Sequence, residues 1–140
     1  MSFTQIELAY LAGQRLGRLA TKRPDGTLQN NPVGFRYQPD LATIDIGGFT
    51  MAASRKFRNV ADNGEVAFVI DDLPSISPWR VRCLEIRGTA EAIEHPTDSA
   101  YGSADPIIRV RPRRILSFGL DQPDSDAHDL VPNVRNVNVN

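Results

Sequence analysis

Short stretches in which apolar and polar residues alternate follow one another along most of the chain. This period of two is typical of β-strands with one buried face, and in residues 41–46 Leu, Thr and Asp alternate with Ala, Ile and Ile. Pro32 and Pro112 interrupt two of the stretches, and we expect an edge, a bulge or a break in the strand at each. The pattern predicts six strands, over residues 16–21, 28–37, 41–46, 66–70, 80–92 and 107–118.

Two other stretches predict short helices. Thr4 and Glu7 have the spacing of a capping box and lie at the start of a run rich in apolar residues. A second helix is predicted to begin in the basic run 54–60, with Thr50 as a candidate cap. It should end at Gly64, because glycine readily adopts the left-handed conformation that stops a helix.

Turn signals, such as the one at residues 24–26, separate the predicted strands at intervals of roughly ten residues. Residues 71–78 are expected to form a loop, and residues 95–98 to begin a helical turn. Many short strands with closely spaced turns predict a mainly β fold, a small antiparallel barrel with two or three short helices, and not a doubly wound sheet. We expect a single domain over residues 1–120 and a polar C-terminal tail over residues 121–140.

Composition excludes several classes of function. The 140 residues have a net charge of −1, which argues against a general nucleic-acid-binding protein. A single cysteine, Cys83, rules out an intrachain disulfide, and His95 and His128 lack the spacing of metal ligands. The N-terminus has neither a basic segment nor a long apolar run, so we expect no signal peptide, no membrane span and a cytoplasmic protein.

The most informative motif is the basic run that opens the second helix. Arg55, Lys56 and Arg58 lie within four positions, flanked by Ser54 and Asn59. A helix N-terminus that carries guanidinium, ammonium, hydroxyl and amide donors is well suited to hold a phosphate. The alternative is a solvated basic turn, and the run alone does not decide between them.

Two further groups of polar residues are candidates for a ligand site. Thr21, Gln29 and Asn31 lie on the first predicted hairpin, where they either hydrogen-bond the edge of a planar heteroaromatic ring or form the wet face of a half-exposed sheet. Trp79 and Arg80 either stack on a ring system or anchor a dimer interface, and both hold if a ligand lies between subunits. The four arginines of residues 109–114 either bind acidic groups or form a basic edge strand that resists aggregation, and we favour the edge strand.

Several segments in the same order resemble the pyridoxamine 5′-phosphate oxidase-like split-barrel proteins, over roughly residues 5–120. The Pro-Trp-Arg of residues 78–80 and the following strand look like the actinobacterial branch that uses the deazaflavin coenzyme F-420. That branch often has Trp where this chain has Phe118. The resemblance is carried by residues 17–21, 24–26, 31–35, 54–60, 78–91 and 109–120.

The resemblance implies a six-stranded antiparallel split β-barrel that forms a homodimer, with two equivalent cofactor clefts at the subunit interface. In the family the lysine of a Lys-x-x-Asn run contacts the cofactor phosphate, which maps onto Lys56. The chain lacks the C-terminal substrate-binding segment of true pyridoxamine phosphate oxidases, so pyridoxal phosphate synthesis is not expected. The implied cofactor-binding residues are Gln29, Asn31, Pro32 and Val33 at the ring, Ser54, Arg55, Lys56, Arg58 and Asn59 at the phosphate, and Trp79 and Arg80 from the partner subunit.

The leading hypothesis for function is an oxidoreductase that transfers a hydride between reduced coenzyme F-420 and a conjugated organic substrate. Since the cofactor would carry the chemistry, no side chain is predicted to be catalytic. A second hypothesis keeps the fold and replaces F-420 by FMN, whose phosphate the same run would hold. A third is a protein that binds or stores the cofactor without turnover.

Overall fold

The alternating segments form one curled antiparallel sheet in the computed structural model, which describes residues 2–137. Within those residues the sheet has eight strands in the spatial order β2-β1-β5-β6-β7-β4-β3, and β8 pairs with β7. The strands are β1 (Leu16–Lys22), β2 (Leu28–Gly34), β3 (Arg36–Gln38), β4 (Thr43–Ile46), β5 (Glu65–Ser75), β6 (Arg80–Ile93), β7 (Ile107–Phe118) and β8 (Asn133–Asn136).

The order of the strands explains why the sheet curls. β2 and β3 are consecutive in the chain, separated by Phe35 alone, yet they occupy opposite ends of the sheet order. The two ends must therefore approach each other, which produces a partly closed barrel. Its interior is filled by side chains that are at most 1% exposed, among them Leu19, Ile44, Phe68, Ile86 and Ile115. The predicted split barrel is thus confirmed.

The predicted number of strands was too small by two. The single strand expected over residues 28–37 is divided at Phe35, whose buried ring packs edge-on against Phe68 with 5.4 Å between ring centroids. β8 was missed because its residues are mostly exposed and show no apolar alternation; it is held by pairing with residues 114–117 of β7. The tail predicted over residues 121–140 therefore contains a strand, and its residues 138–140 lie outside the described part of the chain.

Two local predictions also need correction. The loop expected at 71–78 begins later, because β5 continues to Ser75 and a register shift between Asp72 and Ser75 accommodates Pro74. The helical turn expected near 95–98 is absent from the described residues, where bends and turns lead to β7 instead. Neither segment has a regular apolar period, so both predictions depended on turn-forming residues alone. Such residues did not locate the end of the β5 hydrogen-bond ladder or the start of a helix.

The expectations at the two interrupting prolines are confirmed. Pro32 lies in β2, at one end of the sheet order, where a missing N–H leaves no ladder bond unmade. Pro112 faces Gly88 at a register shift between β6 and β7. A Cβ on Gly88 would lie 2.0 Å from the carbonyl oxygen of Arg111, so only glycine permits this close approach.

Two α-helices flank the sheet: α1 (Gln5–Gly13) and α2 (Arg55–Asn63). The capping box of α1 is present, since Glu7 N–H donates to Thr4 Oγ1 at 3.1 Å and Thr4 N–H to Glu7 Oε1 at 3.0 Å. Ser54, and not Thr50, caps α2, because Thr50 is left-handed (φ 54°) and starts a separate 3-10 turn. Gly64 ends α2 with φ 68°, as predicted.

None of the helices in residues 2–137 combines the length and apolar character that crossing a bilayer requires.

Candidate functional site

The start of α2 presents donors and positive charge to solvent. Phe57 and Val60 are buried and anchor the helix on the sheet, which turns Arg55 and Arg58 outward and leaves Lys56 partly exposed. Ser54 Oγ accepts the N–H of Phe57 at 3.3 Å, so the first two helical N–H groups are the ones left for a ligand. The helix dipole adds positive potential at the same point.

Within the part of the chain that the structure describes, the three cations of this run have no counter-ion. Among residues 2–137, no carboxylate oxygen lies within 4.0 Å of the charged groups of Arg55, Lys56 or Arg58. By contrast, Arg82 pairs with Asp72. Their charge is therefore available to an anion, which favours the phosphate-binding interpretation of the run over a neutralised surface turn.

An open groove leads to this helix start, and we call it the helix-start groove. It has a volume of about 420 Å³ and is lined by residues 48–53 together with Asp105 and Pro106. The residue after its lining is Ser54, the cap of α2. Phe49 is 99% exposed at its rim. A groove of this volume lies within the usual range for small-molecule sites, about 300–1,000 Å³.

Asn59 does not share the exposed face of the run. Its side chain is 1% exposed and lies against the first hairpin, where Nδ2 donates to Thr21 Oγ1 at 3.0 Å and to Gln29 Oε1 at 3.2 Å. The residue that completes the Lys-x-x-Asn run therefore fastens α2 to β1 and β2. Charge and spacing alone gave no sign of this contact, which depends on tertiary packing.

The hairpin residues predicted at the ring divide between two faces. Gln29, Asn31 and Val33 share one face of β2, since side chains alternate along a strand, and Pro32 points to the other. Val33 is 7% exposed and belongs to the core. Gln29 is thus brought into contact with α2, and Asn31 is linked to the helix through Gln29, whereas Pro32 lies on the other face.

Trp79 and Arg80 lie at the far end of the β5–β6 hairpin. Ala90 of β6 lies beside the C-terminal end of α2, because its N–H donates to the carbonyl of Gly64 at 2.8 Å. Ten residues of strand separate Ala90 from Arg80, which is roughly 33 Å at the usual rise per residue. Arg80 donates to Asp126 and to the carbonyl of Asp124. One chain therefore does not bring these two residues to the helix start.

Arg109 was expected to lie on an exposed basic edge, and this expectation was wrong. β7 lies between β6 and β4, and Arg109 is 3% exposed. Its guanidinium donates to both carboxylate oxygens of Asp45, at 2.9 and 3.1 Å, and to Asp98 at 2.9 Å. The hydrogen bonds to Asp45 raise the pKa of Arg109 above its ordinary value, against the effect of burial.

This buried ion pair supports the groove, a role that sequence reasoning missed. Asp45 Oδ2 accepts the N–H of Ala100 at 2.9 Å, and the neighbouring Tyr101 Oη accepts the N–H of Gly47 at 3.1 Å. Gly47 directly precedes the groove lining. The available signal was Asp45 itself, a charged residue between the isoleucines of an otherwise apolar strand.

A family profile and a curated relative that match this chain both carry the names of redox enzymes. The family profile described as pyridoxamine 5′-phosphate oxidase matches residues 4–124. A 5a,11a-dehydrotetracycline/5a,11a-dehydrooxytetracycline reductase of Streptomyces rimosus is 47% identical over 124 residues, which is 86% of each chain.

Solved structures share the same architecture. A conserved hypothetical protein of Mycobacterium tuberculosis superimposes with a TM-score of 0.67 at 20% identity, over 88% of this chain and 89% of that one. An FAD-binding protein of Mycobacterium smegmatis gives 0.63 at 21% identity, over 82% and 93%. An F-420 reductase gives 0.52 at 29% identity, over 70% of this chain and 86% of that one.

Proposed function

The chain belongs to the pyridoxamine 5′-phosphate oxidase family, and from this premise we propose that it is an oxidoreductase that uses reduced coenzyme F-420 to reduce a conjugated organic substrate. The observation that carries the proposal is the set of three cations at the start of α2 that lack a carboxylate partner among residues 2–137, beside a groove large enough for a ring system. The 47% identity to a dehydrotetracycline reductase supports reduction as the direction of the chemistry.

Lys56 is proposed as the main contact to the cofactor phosphate. It lies in the first turn of α2, where the exposed helical N–H groups and the dipole favour an anion. Arg55 and Arg58 would flank the phosphate, and Ser54 holds the turn by capping the helix. Asn59 contributes indirectly, because its amide binds the hairpin that carries Gln29 and Asn31.

The choice of F-420 over FMN rests on what lies beyond the phosphate. F-420 continues there into an acidic tail, which requires cationic partners, whereas FMN ends at the phosphate. Arg55 and Arg58 are exposed and free of carboxylate partners among residues 2–137, so they can supply that charge. Arg80 is already engaged by the C-terminal segment of its own chain and is a weaker candidate.

A bound deazaflavin would supply the hydride, and the protein's task is then to bind, orient and exclude water. The reactive side chains of the described residues fit a protein that binds the cofactor and leaves the chemistry to it. Burial raises the pKa of the Cys83 thiol to about 11, so it stays protonated at neutral pH. His128 is exposed, and its Nε2 lies 3.5 Å from Asp129 Oδ2. We therefore assign no catalytic side chain.

The test is to incubate the purified protein with F-420 and with FMN and to record native mass spectra of each mixture. We expect F-420 to be retained, and reduced F-420 to be oxidised when 5a,11a-dehydrotetracycline or another polycyclic enone is added. Retention of FMN alone would move the assignment to an FMN-dependent oxidoreductase. Binding of F-420 without oxidation by any of a broad panel of enones and quinones would favour a storage protein.

A further inference from the structure

Three side-chain amides form a continuous hydrogen-bonded chain from the inside of α2 to the partly exposed hairpin, and we call it the amide relay. Asn59 Nδ2 donates to Thr21 Oγ1 at 3.0 Å and to Gln29 Oε1 at 3.2 Å. Gln29 Nε2 in turn donates to Asn31 Oδ1 at 2.7 Å. Both bonds between amides point the same way, from the buried Asn59 through Gln29 to Asn31.

Burial at Asn59 explains this direction. Asn59 is 1% exposed, and both hydrogens of its amide nitrogen have acceptors, whereas its Oδ1 has no partner within the described residues. Reversing all three amides would satisfy that oxygen but would leave two buried N–H donors without an acceptor. Buried N–H groups are orphaned less often than carbonyl oxygens, because the oxygen's second lone pair is commonly left unused. The observed direction is therefore the favoured one.

The relay decides what Asn31 offers to a ligand. Its Oδ1 already accepts from Gln29, so its amide nitrogen is the polar group that remains, on a side chain that is partly exposed. No atom of residues 2–137 accepts from that nitrogen. A ligand edge that meets Asn31 therefore meets an N–H donor, which is matched by a carbonyl oxygen and not by another N–H.

We propose that Asn59 is a positioning residue, which acts through Gln29 to fix Asn31 as a donor and so selects a ligand ring edge that carries carbonyl oxygens. The pyrimidinedione edge of a flavin or deazaflavin is such an edge. This inference rests on the proposed function, in that it takes the same cofactor to lie across the hairpin. It adds the polarity of the contact and the buried residue that sets it.

Gln29→Glu tests the relay with little change of shape. The carboxylate still accepts from Asn59 but has no N–H for Asn31, whose amide is then free to turn. We expect the affinity for F-420 and for its phosphate-free deazaflavin-ribityl fragment to fall about tenfold or more, measured by fluorescence titration. In an Asn31→Ala background Gln29→Glu should have no further effect on either affinity, because the Asn31 amide that the relay orients is then absent.

The same cycle separates the relay from other causes. Equal weakening by Gln29→Glu in the Asn31→Ala background would mean that the new charge acts directly on the ligand, and it would overturn the proposal. So would unchanged affinity in the otherwise wild-type protein. The thermal midpoint of each variant is recorded in parallel, since a purely structural role would lower stability without coupling Gln29 to Asn31 in ring binding.

Different results would overturn the proposed function and the amide relay. If the wild-type protein binds neither F-420 nor its fragment nor FMN, the proposed function falls and this inference falls with it. If the wild-type protein binds them and Gln29→Glu binds them equally well, the inference alone is wrong. As a further control, Lys56→Ala should weaken binding of F-420 but leave the affinity for the phosphate-free fragment unchanged.

Discussion

Residues of the same chemical type differ in role here according to burial. Lys56 is partly exposed with no counter-ion among the described residues, whereas Arg109 is 3% exposed and bonded to two aspartates. A cation of the first kind can bind a ligand, because its charge is not already used. A cation of the second kind holds the fold, because removing it would leave a carboxylate unpaired in the interior.

Lys56→Ala should weaken cofactor binding without destabilising the protein. Loss of a charge-assisted hydrogen bond to phosphate costs about 1.5–3 kcal/mol, or roughly 10- to 150-fold in Kd. Fluorescence titration measures the effect. Lys22→Ala is the matched control, since Lys22 is exposed, pairs with Glu65 and lies outside the site. An unchanged Kd for Lys56→Ala would count heavily against the phosphate site.

Arg109→Met should strongly destabilise the fold. It leaves the fully buried Asp45 carboxylate without its partner, a change that typically costs about 3–5 kcal/mol. Urea denaturation measures the free energy of unfolding. Arg111→Met on the same strand is the control, because its exposed pair with Glu91 is worth at most about 1 kcal/mol. Similar losses for both variants would contradict a special role for the buried pair.

The carboxylate of Glu7 joins three secondary-structure elements, α1, β7 and β8. Glu7 of α1 is 1% exposed and accepts from Ser117 Oγ of β7 at 2.6 Å and from Arg135 of β8. Arg135 also donates to the carbonyl of Ser2. This is how β8, which has little apolar surface, stays attached to the barrel, and it explains why the strand could not be found from its own sequence.

Stability should fall in acid because of Glu7. Burial by itself would raise the pKa of Glu7, but hydrogen bonds from Arg135 and Ser117 outweigh it and hold the pKa below its ordinary value of 4.5. The contribution is therefore complete above that value and is lost as the pH falls through the lowered pKa. Glu7→Gln should flatten this acid limb of the stability–pH curve, whereas Glu65→Gln, at an exposed site, should not.

For the molecule as a whole, the residues predicted to bind the cofactor lie at two distant ends of the β5–β6 hairpin. A second copy of the chain could bring the two groups together. Trp79 is 53% exposed, and Leu73 and Ile76, which are close to it in the chain, are 47% and 75% exposed. Large apolar side chains exposed together at a hairpin tip are typical of a protein–protein contact. A homodimer in which this tip reaches the partner's helix-start groove would complete the site. It remains a proposal for this chain.

The protein should therefore be a dimer in solution. Multi-angle light scattering of the purified protein is expected to give about twice the 15.5 kDa of one chain, with and without F-420. Trp79→Ala combined with Ile76→Ser should shift the protein toward monomer and weaken cofactor binding together. A stable monomer that still binds cofactor with full affinity would contradict the interface cleft.

The features that sequence predicted well depend on neighbours in the chain. The capping box at Thr4, the helix stop at Gly64 and the strand alternation all express local geometry. The cap of α2 was misplaced by four residues because Thr50 and Ser54 are both acceptable caps, and only the strained backbone at Thr50 separates them. The division of β2 from β3 depends on how Phe35 packs against Phe68.

By itself, the sequence determined the class of fold, the two helices and the cationic run, because alternation, capping and charge are properties of residues close together in the chain. Tertiary structure alone decided that Asn59 lies buried against Gln29, that Arg109 is paired inside the barrel and that β8 docks through Arg135. Each of these contacts joins residues 30 to 128 positions apart in the chain. Whether such a side chain binds a ligand or holds the fold depends on the burial and partners that folding creates.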